Sequence, residues 1–265
     1  MLGSLCHFLT KKRRIIVAHN LKIVHPEMSD EEIKKLTKKV FRYSFANLTS
    51  AINTSAISLK RLKKTVSIHG QENFSELPDE QGAIFMLFHM GNWEALGRIA
   101  PLLNTDKPTA AMYRPLKNGF IDDHVRKKRE REGTKLFSRK KGLIEANKFL
   151  RNGNILGILS DQHSGNAGFH HPLFGLESSI TPLPALLAVK HGCPVIPVSL
   201  ITEKPGKWKI EYHSPINIPK GTSKEEGTKM LIPAMEKIMR EHSLDIFWLH
   251  DRWKIKHQLK EDGII

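Results

Sequence analysis

The sequence predicts an α/β fold. A single domain is expected, with a mostly parallel central sheet flanked by helices and preceded by N-terminal helices. Three observations lead there. Short apolar runs bounded by turn residues, such as Ala83–Phe88, Thr109–Tyr113 and Asn154–Ser160, have the length and composition of buried strands. Segments with helical spacing alternate with them, as in a parallel sheet with crossover helices. The 265 residues contain no internal repeat, low-complexity stretch or clear linker, so one continuous core is expected.

Composition narrows the class. With 40% hydrophobic and 26% charged residues the chain is globular rather than disordered. Lys and Arg number 42 against 27 Asp and Glu, and this formal +15 points to a polyanionic partner: nucleic acid, anionic lipid or an acidic protein. Cys6 and Cys193 make no disulfide framework and suit a reducing compartment. No apolar segment approaches the roughly 18–20 residues that cross a bilayer.

In chain order, residues 1–25 combine a short apolar patch, the basic cluster Lys11–Arg14 and Ile15–Val24. This is the pattern of an interfacial helix or of a helix packed on the domain with a solvated basic face. Ser29-Asp-Glu-Glu32 reads as a capping box. It opens a helix to about Thr54, with Ile33, Leu36, Val40, Tyr43 and Leu48 as its apolar stripe. Residues 1–55 thus form an N-terminal helical part. Val66–Gly70 is a short strand, and Ala83–Phe88 is the main one. His89 ends that strand, Gly91-Asn92 break the pattern, and Glu94–Ala100 reads as a helix start with Asn92 as N-cap. Thr109–Pro115 is a strand ending in Tyr113-Arg114, and Ile121–Arg131 a strongly basic helix. Gly142–Leu150 is a helix, and Asn154–Gln162 a third buried strand ending in Asp161-Gln162. Polar sequence follows to His170-His171, a pair more suited to a structural than a ligating role. Pro184–Gly192 is a helix with a Gly stop. Cys193–Ile201 and Lys207–His213 are strands, and Ser223–Ser243 is helical, kinked or divided at Pro233.

Three strands on one predicted sheet thus end in His89, in Tyr113-Arg114 and in Asp161-Gln162. Ligands of open α/β sheets bind outside the carboxyl ends of the strands. A Glu94 hydrogen-bonded to one ring nitrogen of His89 would leave the other nitrogen free as a general base, whereas a structural reading makes His89 a strand cap. Three His residues have a carboxylate five positions on: His25/Asp30, His89/Glu94 and His257/Asp262. Only His89 ends an apolar strand, and the other two pairs are expected to be solvated. Dinucleotide and P-loop glycine motifs, metal-ligand spacings and a Gly-x-Ser-x-Gly elbow are all missing from the sequence, so no cofactor or metal is expected.

At these residues the chain resembles the late acyltransferases of lipid A biosynthesis, the lauroyl and myristoyl transferases of Gram-negative bacteria. The resemblance covers nearly the whole chain. It runs through Lys12-Arg-Arg, Asn20-Leu, His25-Pro-Glu-Met-Ser-Asp-Glu-Glu32 and Phe88-His-x-Gly-Asn-Trp-Glu94. It continues through Tyr113-Arg-Pro-Leu-Lys-Asn118, Arg129-x-Arg131-x-Gly133, Asp161-Gln-His-x-Gly165, Leu173-Phe-Gly175, Pro184-Ala-Leu-Leu-Ala188 and Trp248-Leu-His-x-Arg252-x-Lys254. It implies a glycerolipid-acyltransferase-like fold and transfer of an acyl chain from acyl carrier protein to a hydroxyl of a lipid A precursor. His89 would be the general base and Glu94 its orienter. Arg129 would bind phosphate or steady negative charge, and Asp161 would hold the site's cations or substrate. Arg114 and Arg131 complete the expected substrate-binding set.

Family members commonly begin with a transmembrane helix, and this sequence starts at about where that helix ends. Peripheral or monotopic attachment to the cytoplasmic face of the inner membrane, through Leu2–Leu9 and the basic cluster, is the expectation. Glu132-Gly-Thr-Lys135 mimics a glycerol-phosphate acyltransferase motif but follows a run of charge instead of an apolar strand, and it reads as coincidence. Two other functions fit parts of the sequence. One is an acyltransferase of the same family acting on another glycolipid or a lysophospholipid. The other is a basic nucleic-acid-binding protein, disfavoured because the basic residues are scattered over several elements with few exposed-looking aromatics.

Overall fold

A computed structural model describes residues 2–54, 56–139 and 141–255. Helices α1 (Leu2–Leu9), α2 (Lys11–Val24) and α3 (Asp30–Thr54) come first, then α4 (Leu59–Lys63), β1 (Val66–His69), α5 (Glu72–Ser75) and β2 (Ala83–Leu87). The middle of the chain gives β3 (Thr109–Tyr113), α6 (Gly119–Glu130), β4 (Lys135–Ser138), α7 (Leu143–Arg151) and β5 (Ile155–Leu159). A hairpin of β6 (Phe169–Leu173) and β7 (Leu176–Ile180) follows, and then α8 (Leu183–His191), β8 (Val195–Lys204), β9 (Lys207–Tyr212) and α9 (Lys224–Glu241).

The main sheet has the order β1-β9-β8-β2-β5-β3-β4. From β8 to β4 every neighbouring pair is parallel, whereas β9 returns antiparallel to β8 across the two-residue Pro205-Gly206 turn. β2 and β5 lie centrally and are buried on both faces, which is why their sequences are continuous apolar runs.

The capping box forms as expected. The Ser29 amide donates to Glu32 Oε2 at 2.8 Å, and the Glu32 amide donates to Ser29 Oγ at 3.3 Å. In the apolar stripe of α3, Ile33 and Val40 are buried in the core, while Leu48 helps line a cavity. α9 runs unbroken through Pro233, which neither divides nor ends it. Among the described residues no helix is long and apolar enough to cross a membrane.

Several expectations change. No α-helix starts at Glu94: Trp93–Gly97 and Ala100–Leu102 are short 3₁₀ turns, because Gly97 and Pro101 interrupt any longer helix. Asn92 does not cap this segment, and its side chain donates to Thr54 Oγ1 at 2.7 Å instead. His25 is buried, not solvated, with Nε2 2.8 Å from Ser243 Oγ and Nδ1 3.2 Å from Glu27, since the turn after α2 tucks against the end of α9. His257 and Asp262 lie outside the described residues. β4 and the β6–β7 hairpin were not anticipated, being short and rich in polar residues, His and Ser.

The turn after β2 is fixed by backbone geometry. Gly91 has φ +52°, and a Cβ placed there would stand 2.3 Å from the Leu200 carbonyl oxygen. Gly119, in the first turn of α6, has open space around it. Gly91→Ala is expected to destabilise the fold by about 2 kcal/mol or more, and Gly119→Ala to be neutral or slightly stabilising. Urea denaturation of the two variants measures the difference.

Candidate active site

The sheet assembles the site at its carboxyl edge. In the β2–β5 ladder Leu87 stands opposite Leu159, so His89 and Asp161, each two residues further on, emerge side by side. His89 Nδ1 lies 2.8 Å from Asp161 Oδ1. The Trp93 and His89 rings meet in a T-shaped arrangement, with centroids 5.6 Å apart. The C-terminal segment clamps the backbone of this turn: Phe247 N–H donates to His89 O at 2.8 Å, and Gly91 N–H donates to Asp245 O at 3.0 Å. That segment is in turn held by α2, where buried Asn20 donates through Nδ2 to the carbonyls of Trp248 and His250, both at 2.9 Å. Asn20 and Trp248-Leu-His250, far apart in the sequence, are therefore parts of one support.

The electrostatics of the pair are set by burial and mutual attraction. Asp161 is buried, which by itself would raise its pKa. The charge and hydrogen bond of His89, with the backbone N–H of the same residue, outweigh burial and hold the carboxyl below its ordinary range. Burial likewise disfavours the imidazolium of His89, but the charge and hydrogen bond of Asp161 win and raise its pKa above 6.5. An ionised carboxylate only accepts, so Nδ1 of His89 carries a proton even when the ring is neutral. Nε2 then presents its lone pair, and it has no hydrogen-bond partner among the described residues.

Glu94 is occupied differently from the expectation. Arg129, from α6, donates through Nε to Glu94 Oε2 at 2.9 Å and through NH2 to Glu94 Oε1 at 2.5 Å. The carboxylate that holds the His89 ring is thus Asp161, and Glu94 holds Arg129. The reason is topological: Glu94 leaves the strand on a 3₁₀ turn that carries it toward α6, whereas Asp161 sits in register on the next strand. A second pair buttresses the first, as Arg98 (2% exposed) donates to Glu132 Oε1 at 2.7 Å and also bonds the Thr54 carbonyl. Glu132 therefore has a structural partner. Arg131 joins this buttress, donating to Glu132 Oε1 and to the Ile57 carbonyl, both at 3.1 Å, and does not line the cavity as expected of a substrate ligand. Arg114 does line the cavity, from an exposed position at its rim.

The cavity measures about 1070 Å³, at the upper end of ordinary ligand pockets. The sheet contributes Phe85 and Leu87 of β2 with His89 just beyond it, Gly157, Ile158 and Leu159 of β5, and Thr109–Tyr113 of β3. Leu96, Ile99 and Leu103 form the facing wall. In one cross-strand row Phe85, Gly157 and Ala111 lie adjacent, and Gly157 leaves a trough where a Cβ would stand 2.9 Å from Leu87 Cδ1. Polar groups also line the cavity, among them Gln162, His163, His250 and Lys254. His250 is pushed down to about 4 by burial and the Lys254 charge, so it stays neutral there. Its Nε2 accepts from the His163 amide at 3.3 Å. His163 and His250 were not singled out as site residues, and only the resemblance motifs that contain them hinted at a role.

A largely apolar cavity with a histidine–carboxylate pair at its wall suits a fatty chain carrying a reactive carbonyl, the substrate of an acyltransferase. Residues 1–255 match the family described as bacterial lipid A biosynthesis acyltransferase, and the chain belongs to that family. It is 26% identical over 261 residues to the lipid A biosynthesis lauroyltransferase of Escherichia coli K12, covering 96% of this chain and 83% of that one. It is 22% identical over 264 residues to the lipid A biosynthesis palmitoleoyltransferase of the same strain, again covering 96% and 83%.

The coupling of His89 to Asp161 has a direct readout. In an NMR titration of the imidazole, His89 is expected to titrate above 6.5, and Asp161→Asn to lower its pKa by removing the charge that favours the imidazolium. Glu94→Gln is expected to move it less.

Proposed function

We propose that the protein transfers a fatty acyl chain from acyl carrier protein to a hydroxyl of a lipid A precursor, with His89 as general base. The observation that carries this reading is the His89–Asp161 hydrogen bond beside a largely apolar cavity, in a chain of the lipid A acyltransferase family. The acyl chain lies in the trough over Gly157, with its thioester carbonyl beside His89. Nε2 of His89 takes the acceptor's hydroxyl proton as that oxygen attacks the carbonyl carbon. The C–S bond then breaks, and the leaving thiolate takes the proton back from the imidazolium. Asp161 keeps the ring in the productive tautomer and steadies its positive charge.

Arg129 faces the same cavity. Glu94 fixes its orientation through Nε and NH2, and NH1 has no hydrogen-bond partner among the described residues. Glu94 thus acts through Arg129, whose free edge is placed for a phosphate of the acceptor or for negative charge developing on the carbonyl oxygen. Arg114 adds a cation at the rim. The donor, an acidic protein, suits the exposed basic side of α6. The site belongs at the cytoplasmic face of the inner membrane, where exposed Leu5, Phe8 and Leu9 of α1 beside Lys11–Arg13 support peripheral attachment.

His89→Ala is expected to lose about 10²–10⁴-fold in kcat. In Asp161→Asn the acidic limb of the pH–rate profile should move to lower pH, because the folded pKa of His89 falls, and the maximal rate should drop as well. Mass spectrometry of lipids from a deletion strain should show one acyl chain missing from lipid A. Loss from another glycolipid or from a phospholipid would reassign the acceptor. Lys127→Glu should raise the KM for acyl carrier protein and flatten its salt dependence with kcat kept, whereas Arg129→Ala should lower kcat/KM at every salt concentration.

A further inference from the structure

Large apolar side chains stand exposed where the cavity opens. Phe120 is 90% exposed, Ile121 53% and Leu116 48%, and Ile52 at the end of α3 is 72% exposed. Leu116 and Ile52 are also cavity-lining residues, so they belong to its rim. Leu116, Phe120 and Ile121 sit on the connection from β3 into the first turn of α6, and local hydrogen bonds hold them there. Asn118 Oδ1 accepts from the amides of Phe120 and Ile121 at 3.0 and 3.2 Å, and Asp122 accepts from the Leu116 amide at 2.7 Å. This capped turn keeps three large apolar side chains outside the core. Exposed Arg114 and Lys117 flank them in the sequence.

Apolar side chains projecting among cations are the composition of an element that lies in a lipid–water interface. A docking surface for an acidic protein needs the cations, but not a phenylalanine left 90% exposed between them. We propose that Leu116–Ile121 is a lip that inserts into the headgroup region of an anionic bilayer. The cavity then opens directly on to the leaflet, and an amphiphilic acceptor reaches His89 without crossing water. This rests on the reading that the acceptor is a membrane lipid. It adds a membrane contact separate from α1, placed where substrate enters.

Phe120 and Ile121 do not line the cavity, so Phe120→Ser with Ile121→Ser tests the lip without touching the site. Sedimentation with vesicles of phosphatidylglycerol and phosphatidylcholine should show partitioning roughly ten- to hundred-fold weaker for the double variant. With acceptor embedded in the same vesicles its KM should rise by a similar factor. With acceptor dispersed in detergent micelles, kcat and KM should match the parent enzyme. Partitioning within twofold of the parent overturns the proposal. Unchanged partitioning with a higher KM for the acyl donor also overturns it, and assigns the lip to docking of the donor protein. Failure of the parent enzyme itself to acylate any dispersed lipid A precursor would instead overturn the acceptor assignment, leaving the partitioning result to decide the lip.

Discussion

The hydrogen bond between His89 and buried Asp161 is the contact on which the rest of the site depends. It joins the ends of two neighbouring parallel strands, so its geometry is inherited from the register of the sheet. Burial alone would weaken both charged forms. Paired, the two groups shift in opposite directions, the carboxyl downward and the imidazole upward, and one ring nitrogen is committed to the carboxylate. A slip of one residue between β2 and β5 would turn one of the two side chains to the opposite face and abolish the pair.

Much of the remaining structure serves to hold that edge still. α2 and the C-terminal segment grip the turn after β2 through Asn20 and through the backbone of Asp245 and Phe247. A second network, from Asp245 to Asn47 and Thr202, ties that segment to α3 and β8. The other wall is tied by Arg98 and Glu132, which join the end of α3 to the 3₁₀ turn and the end of α6, so that Glu94 and Arg129 meet. The rim is arranged differently, with a rigid cap at Asn118 presenting side chains that the core does not use. Rigid support beneath His89 and Asp161 and an apolar fringe at the opening suit the proposed transfer of a fatty chain to an amphiphile.

The elements were legible where the local pattern was strong. Ala83–Leu87 and Ile155–Leu159 are apolar on both faces because both faces are covered, and Ser29 with Glu32 announces α3 by a reciprocal bond within four residues. Gly97 and Pro101 could have warned against a helix after Asn92. The weak strand β4 and the β6–β7 hairpin left little signal, since their pairing depends on partners that the local sequence does not contain.

By itself the sequence determined the alternation of strands and helices, the family resemblance, and the presence of His89, Glu94, Arg129 and Asp161 at element ends. Those are properties of local propensity and of residue identity in order along the chain. The tertiary structure decided which carboxylate serves which partner. β3, α6, β4 and α7 lie between the strands that carry His89 and Asp161, and only the β2–β5 register brings the two residues to 2.8 Å. Glu94, five residues from His89, is carried toward Arg129 by a turn whose direction depends on what packs against it. Spacing in sequence fixes which groups are near along the backbone, but side-chain contact across a sheet edge is set by strand order and register, and these are settled only when the whole core forms.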